Sequence, residues 1–352
     1  MFAIAGLCVI DSFLARTERL ESIREAARLF TEGERFEQAG NYSQAIDRSR
    51  AALAIRSESE GYAVALSTAL LKAGRLHEAE SVLGQVLQRD SIDGEANLMM
   101  ARVLVGQGKI AQAESYYHHA IYDQWRDGSA RHRLQARLEL IELLANHDKK
   151  KDLLSELLAL QDEAGGDIGI LKRVAPLYLA AGSPGHASEV FRDILRSEAG
   201  NADAYAGLGE ASFATGNYRA AEDDFRNAVW LDPRNQQFRT RLDLCRRVLQ
   251  LDPTRRGLSM RDRFRRSQEV LKLAADDLVQ CSASGVPQPT QELLGLAGEQ
   301  LRRQVKAFQQ NDAIEANLGL AERLWRARTE ECKRVVSPAE QPLDLVLAKI
   351  SQ

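Results

Sequence analysis

Gly216-Asn217-Tyr218-Arg219-Ala220-Ala221 is a phrase that this chain repeats. Gly40-Asn41-Tyr42-Ser43-Gln44-Ala45, Gly74-Arg75-Leu76-His77-Glu78-Ala79 and Gly108-Lys109-Ile110-Ala111-Gln112-Ala113 keep its glycine and its closing alanine. Gly182 leads a looser copy that ends on Ala187. Gly40, Gly74 and Gly108 lie 34 residues apart, and Gly182 and Gly216 repeat that interval. A fixed period of about this length marks an array of supersecondary units, each packing on its neighbours. Glycine suits the turn after a first helix because it tolerates backbone angles that a side chain would block. The small alanine that closes the phrase leaves room for two helices to cross closely.

Working outward from that phrase, Tyr205, Leu208, Gly209, Gly216, Tyr218, Ala221, Phe225, Ala228, Leu231, Asp232 and Pro233 fall at set spacings within residues 202–235. This pattern resembles the tetratricopeptide repeat family, over about residues 26–235. Repeats are read at 26–59, 60–93, 94–127, 168–201 and 202–235. Residues 129–166 form a degenerate copy, because the turn Asn146-His147-Asp148-Lys149-Lys150-Lys151-Asp152 has neither the glycine nor the alanine. Pro176 inside the first helix of the fifth unit should kink or delay that helix. The resemblance implies an all-α fold: a right-handed solenoid of about six repeats, whose concave groove, lined by the first helix of each repeat, takes peptides or partner proteins.

After residue 236 the period is lost. The stretch from Gln237 to Leu251 reads as a helix capping the last apolar face. Helices are expected at 260–281, 291–310, 312–334 and 341–350, forming a C-terminal helical appendage. The chain thus divides into an apolar N-terminal segment and linker helix (1–25), a solenoid (26–235) and a capping helix with the helical C-terminal region (236–352).

At 352 residues the chain exceeds the usual size of one compact core, which a repeat array escapes. The net charge of −3 selects neither nucleic acid nor membrane. The four cysteines (Cys8, Cys245, Cys281, Cys332) include no CxxC pair, and the paired His118 and His119 point to different sides of a helix, so no metal site or cofactor is expected. Cys245 reads as core. If the C-terminal helices alternate in direction, Cys281 and Cys332 end near one pole, as a disulfide or as two buried thiols.

The run from Phe2 to Ile10 is apolar or small, short of the roughly 20 residues that span a bilayer, and without a basic leader. Ala5-Gly6-Leu7-Cys8 misses a lipoprotein signal because leucine precedes the cysteine. The run reads as a membrane anchor whose beginning lies upstream, as a helix packed on the first repeat, or as an interfacial helix. The first and third readings place the protein at a membrane or in the cell envelope, the second in the cytoplasm.

No phosphate loop, zincin motif, nucleophile elbow or kinase signature occurs, and acid pairs such as Asp223-Asp224 read as solvated helix faces, so no catalytic residue and no enzyme is expected. The best-known binding mode of the family is a carboxylate clamp of lysine, asparagine and arginine. Phe30 and Glu34 stand at the first of those positions, and later repeats offer only Lys172 and Arg241, so the clamp is not carried over. The expected groove residues are Phe30, Glu34, Val64, Thr68, Leu71, Leu98, Arg102, Val105, Ala206, Glu210 and Phe213, a partly apolar surface suited to a protein or peptide ligand.

A second feature is the run from Arg234 to Arg266, with 11 arginines and no lysine. Its densest part is Arg255, Arg256, Arg261, Arg263, Arg265 and Arg266. Arginine prefers carboxylate or phosphate in planar, bidentate geometry, which points to an acidic protein, an anionic lipid, or internal ion pairs. Only Phe238 and Phe264 interleave with it, which weighs against nucleic acid. The expected function is a non-enzymatic scaffold or adaptor that organises a complex at or near a membrane; the alternative is a soluble regulatory or RNA-associated protein using residues 234–266.

Overall fold

The computed structural model describes residues 2–125, 128–281, 288–331 and 341–351. Among these, all regular structure is helical. Six pairs come first: α1 (Phe2–Gln38) with α2 (Tyr42–Ile55), α3 (Glu60–Lys72) with α4 (Leu76–Arg89), α5 (Gly94–Gly106) with α6 (Ile110–Tyr122), α7 (Ser129–Asn146) with α8 (Lys150–Ala164), α9 (Ile168–Ala180) with α10 (Pro184–Ser197), and α11 (Ala202–Ala214) with α12 (Tyr218–Leu231). Then follow α13 (Gln236–Leu251), α14 (Met260–Cys281), α15 (Gln288–Arg302), α16 (Gln310–Glu331) and α17 (Pro342–Ile350).

The repeated phrase produces the same turn each time. Gly40, Gly74, Gly108, Gly182 and Gly216 all have φ between 73° and 78°. The next amide reaches back to close the helix end: Asn41 N–H to Phe36 O at 2.8 Å, Arg75 to Leu70 at 2.8 Å, Lys109 to Leu104 at 2.9 Å and Asn217 to Ser212 at 2.9 Å. This closure satisfies carbonyls that a helix end leaves unpaired. Ala45, Ala79, Ala113, Ala187 and Ala221 are fully buried, where the paired helices cross.

The degenerate unit keeps this geometry with other residues. Asp148 takes the left-handed position at φ 54°. Lys149 N–H closes onto Leu144 O at 3.2 Å. Leu153 fills the alanine position and is buried. Several other helix starts are capped by a polar side chain: Ser59, Asp93, Asp167, Asn201, Asn217 and Asn235 accept first-turn amides of α3, α5, α9, α11, α12 and α13. Pro176 sits inside α9, which runs on to Ala180.

The chain gathers into two compact units, Met1–Leu160 and Gln161–Gln352. In the first, Ile46, Leu70, Leu83, Val86, Leu104, Leu140 and Leu157 are among the buried core residues. In the second, α13 has two apolar faces. Phe238, Leu242 and Cys245 pack with Ala221, Phe225 and Ala228 of α12. Leu244, Val248 and Leu249 pack with Val270, Leu271, Leu324, Val346 and Leu347 of the C-terminal helices.

The C-terminal helices differ from expectation at the end of α15. α15 stops at Arg302, where a helix to residue 310 was anticipated, and a single turn of 3-10 helix at Ala307–Gln309 leads into α16. At the other end, α1 runs without a break from Phe2 to Gln38. No helix among the described residues is long and apolar enough to cross a membrane. Cys245 is fully buried, and that burial pushes its thiol up to about 12. Cys332, and with it the Cys281–Cys332 pairing, falls outside the described residues.

Candidate functional site

In the first unit, α1, α2, α3 and α5 enclose a cavity of about 250 Å³. Phe30, Glu34, Val64 and Thr68 line it, so four of the expected groove residues meet at one concavity. α1 presents Phe30, Gly33, Glu34 and Glu37 at helical spacing, and α3 presents Gly61, Val64, Ala65 and Thr68. Phe30 stacks on Tyr62 with ring centroids 4.9 Å apart, which fixes the apolar wall. Thr68 spends its hydroxyl on Val64 O at 2.9 Å. Gly33 lets α1 approach α2 closely: a Cβ there would come within 2.8 Å of Ser49 Oγ, which would have to turn aside.

Three carboxylates rim this cavity: Glu34, Glu37 and Glu95. Glu37 is paired with Lys72. Glu34 is exposed and makes no ion pair among the described residues. The cavity therefore combines an aromatic and aliphatic wall with an acidic rim. Gly61, Ala65 and Glu95 were not anticipated from the sequence; two are too small to carry a signal, and Glu95 looks like an ordinary helix-start acid.

The remaining expected groove residues are committed elsewhere or lie apart from this cavity. Leu98 is buried, while Leu71 and Val105 are half-buried. Arg102 forms a two-pronged pair with Glu139 of α7 at 2.9 and 2.7 Å. Tyr117 and Gln135 also donate to Glu139. Burial, the largest single influence, works to raise the Glu139 carboxyl, but the bond and charge of Arg102 with the bonds from Gln135 and Tyr117 together hold the pKa below the ordinary carboxylate value. In the second unit, Ala206 is buried, and Glu210 accepts a two-pronged bond from Arg241. The Arg241 guanidinium lies 4.2 Å over the Phe213 ring, which meets Tyr218 edge-on.

The arginine-rich run divides by role. Arg266 donates to Leu249 O at 2.6 Å and Asp252 O at 3.1 Å, closing the end of α13. Arg265 pairs with Asp262 one turn back on α14. Arg261 is exposed and Arg263 half-buried on the same helix. Arg255 and Arg256 line a separate cavity of the second unit, of about 590 Å³, together with Arg219 and Lys349. Sequence reading missed those last two because they stand outside the run.

Among the described residues, one trio of acids could meet a cation: Glu60, Asp90 and Asp93, with ligand atoms within 4.8 Å of one another. Asp93 already caps α5 through Ala96 N–H at 2.8 Å.

The chain matches the tetratricopeptide repeat family over residues 70–138 and 202–235. No curated protein matches it. Among solved structures, it is similar to YrrB, described as a TPR protein with an unusual peptide-binding site, at 16% identity and a TM-score of 0.44 over 54% of this chain and 95% of that one. It is similar to PilW, a type IV pilus biogenesis factor, at 18% identity and a TM-score of 0.42 over 61% and 97%. The third is pilF of Pseudomonas aeruginosa, at 16% identity and a TM-score of 0.43 over 63% and 97%.

Proposed function

We propose that this chain, with its tetratricopeptide repeats, is a non-enzymatic interaction scaffold holding a peptide of its partner in the α1–α3 cavity. The observation that carries this reading is the meeting of Phe30, Val64 and Thr68 with Glu34 at a single concavity. An apolar wall beside acidic groups favours a peptide that offers a hydrophobic side chain next to lysine or arginine. That is the opposite charge preference from a carboxylate clamp, whose first lysine and asparagine positions are held here by Phe30 and Glu34.

A photo-crosslinking residue placed at Thr68 in the native cells tests this. A discrete crosslinked polypeptide is expected, lost when Glu34→Lys and Glu95→Lys reverse the rim. The same probe at Ser81, exposed on α4, should not capture it. An identical pattern from both positions, or none from Thr68, removes the site.

Placement at or near a membrane belongs to the same proposal, on the apolar Phe2–Ile10 run that opens α1. Recovery of the chain only in the soluble fraction of those cells would withdraw this placement and leave the scaffold reading intact.

A further inference from the structure

We infer that the second compact unit carries a phosphate-binding site, formed by Arg219, Arg255 and Arg256 around the cavity between the first turn of α12 and the turn after α13. It is independent of the peptide cavity in the first unit and does not rest on that reading. The cavity is about 590 Å³, within the range of roughly 300–1,000 Å³ typical of small-ligand sites. Arg219 enters from the start of α12, Arg255 and Arg256 from the turn, and Lys349 from α17.

Charge balance singles out the ligand. Asp252, at the cavity wall, is buried with its side chain 1% exposed, and Lys349 Nζ lies 2.6 Å from its Oδ2. Its Oδ1 accepts from the Thr254 amide and hydroxyl, both at 2.7 Å. Lys349 and Asp252 therefore neutralise each other. Arg219, Arg255 and Arg256 make no ion pair among the described residues and are left facing one concavity.

The charge of Arg255 is felt nearby. Burial, then the charges of Arg255 and Arg265, hold the Arg266 pKa below its ordinary value. Arg219 and Arg256 are exposed and Arg255 is half-buried, so water and salt screen part of their repulsion, and an anion seated among them would offset the rest. A carboxylate supplies one negative charge, whereas a phosphomonoester supplies about 1.5–2 and more oxygens for the arginine forks. The amino end of α12, a 14-residue helix, adds the positive end of its dipole. The recognised chemistry is a phosphate group, carried either by a free small molecule or by a lipid headgroup.

The experiment uses the whole chain with two probes. Inorganic pyrophosphate is titrated calorimetrically, and co-sedimentation is measured with phosphatidylcholine vesicles with and without phosphatidic acid. Binding of pyrophosphate, or sedimentation that needs phosphatidic acid, is expected, and the two arms tell a free phosphate from a headgroup. Arg219→Gln, and separately the pair Arg255→Gln and Arg256→Gln, should each weaken binding by at least about tenfold, as for a lost hydrogen bond to a charged group. Thermal melts confirm that these variants fold. Arg261→Gln, exposed on α14 and away from the cavity lining, should bind as the parent does. Three results would each overturn the assignment: neither probe binds, Arg261→Gln weakens binding as much as the cavity variants, or a triglutamate peptide competes as well as pyrophosphate.

Discussion

Two aspartates show how single residues set stability here. Asp148 holds φ 54° in a turn where the other copies use glycine, and its side chain is 83% exposed beside Lys150. A left-handed conformation costs a residue with a Cβ roughly 1–2 kcal/mol, less for aspartate, while glycine raises the entropy of the unfolded chain. Asp148→Gly should therefore raise stability by about 0.5 kcal/mol, read as a later midpoint in urea; an earlier one would mean the aspartate is supported by contacts that outweigh its strain. Asp224 is half-buried on α12 with Ser212 Oγ at 3.4 Å. Burial pushes its pKa up to about 6, Asp223 adds to the shift, and Ser212 and Arg192 oppose it. The unfolded value is about 3.9, so between the two values the folded chain keeps a proton that the unfolded chain has lost. Stability from this group thus falls as pH rises from about 4 to 6 and is flat above. Asp224→Asn should be the more stable chain at pH 7, by about 1–2 kcal/mol once solvent screening of this half-buried group is allowed for. The difference should shrink toward zero near pH 4, and a constant difference across urea titrations at both pH values would rule out the shift.

At the scale of elements, the crossings between helices are specified by what has been left out. A Cβ on Gly207 of α11 would sit 2.1 Å from the Phe191 ring of α10, whereas one on Gly84 of α4 would meet nothing within 4 Å. Both are helical, so alanine gains about 1 kcal/mol of helix propensity at either site. Gly84→Ala should stabilise by up to that amount; Gly207→Ala should destabilise by about 1–3 kcal/mol through overpacking. Equal effects in parallel denaturation curves would mean that the α10–α11 crossing is not tight. The same logic explains what could be read in advance. The turns and crossings of the regular repeats were legible because positive φ and minimal volume admit few residues, and they recur at a fixed period. The degenerate turn was not, since Asp148 and Leu153 meet the same demands with residues that occur anywhere. The end of α15 was not either, because Arg303, Gln304 and Lys306 are all good helix formers and carry no stop signal. Phe30, Glu34, Val64 and Thr68 could be named from the faces of first helices. Arg102 and Glu210 look like free charges in the sequence, but their partners stand 37 and 31 residues away. Arg219 and Lys349 flank one cavity across a separation that no local pattern encodes.

For the whole molecule, the consequence of repeats is that stability is local. α2 to α6 each pack on helices one or two places away in the chain. In such an array, stability is close to a sum of unit terms and nearest-neighbour terms. Ala221 is fully buried in the cluster that includes Phe225, Phe238 and Cys245, all within the second compact unit. Ala221→Trp inserts a large side chain there and should cost several kcal/mol, the upper part of what overpacking produces, at about 3. Native-state hydrogen exchange then reads where that cost is felt. Amides of α11, α12 and α13 should exchange faster by about a hundredfold, the ratio that roughly 3 kcal/mol gives. Amides of α3 to α6, in the first unit, should keep the protection of the parent chain. Uniform acceleration along the chain would show one cooperative fold in place of local repeat energetics. No change near α12 would show that Ala221 does not stand at a helix crossing, and the repeat register would have to be redrawn from the phrase at Gly216 outward.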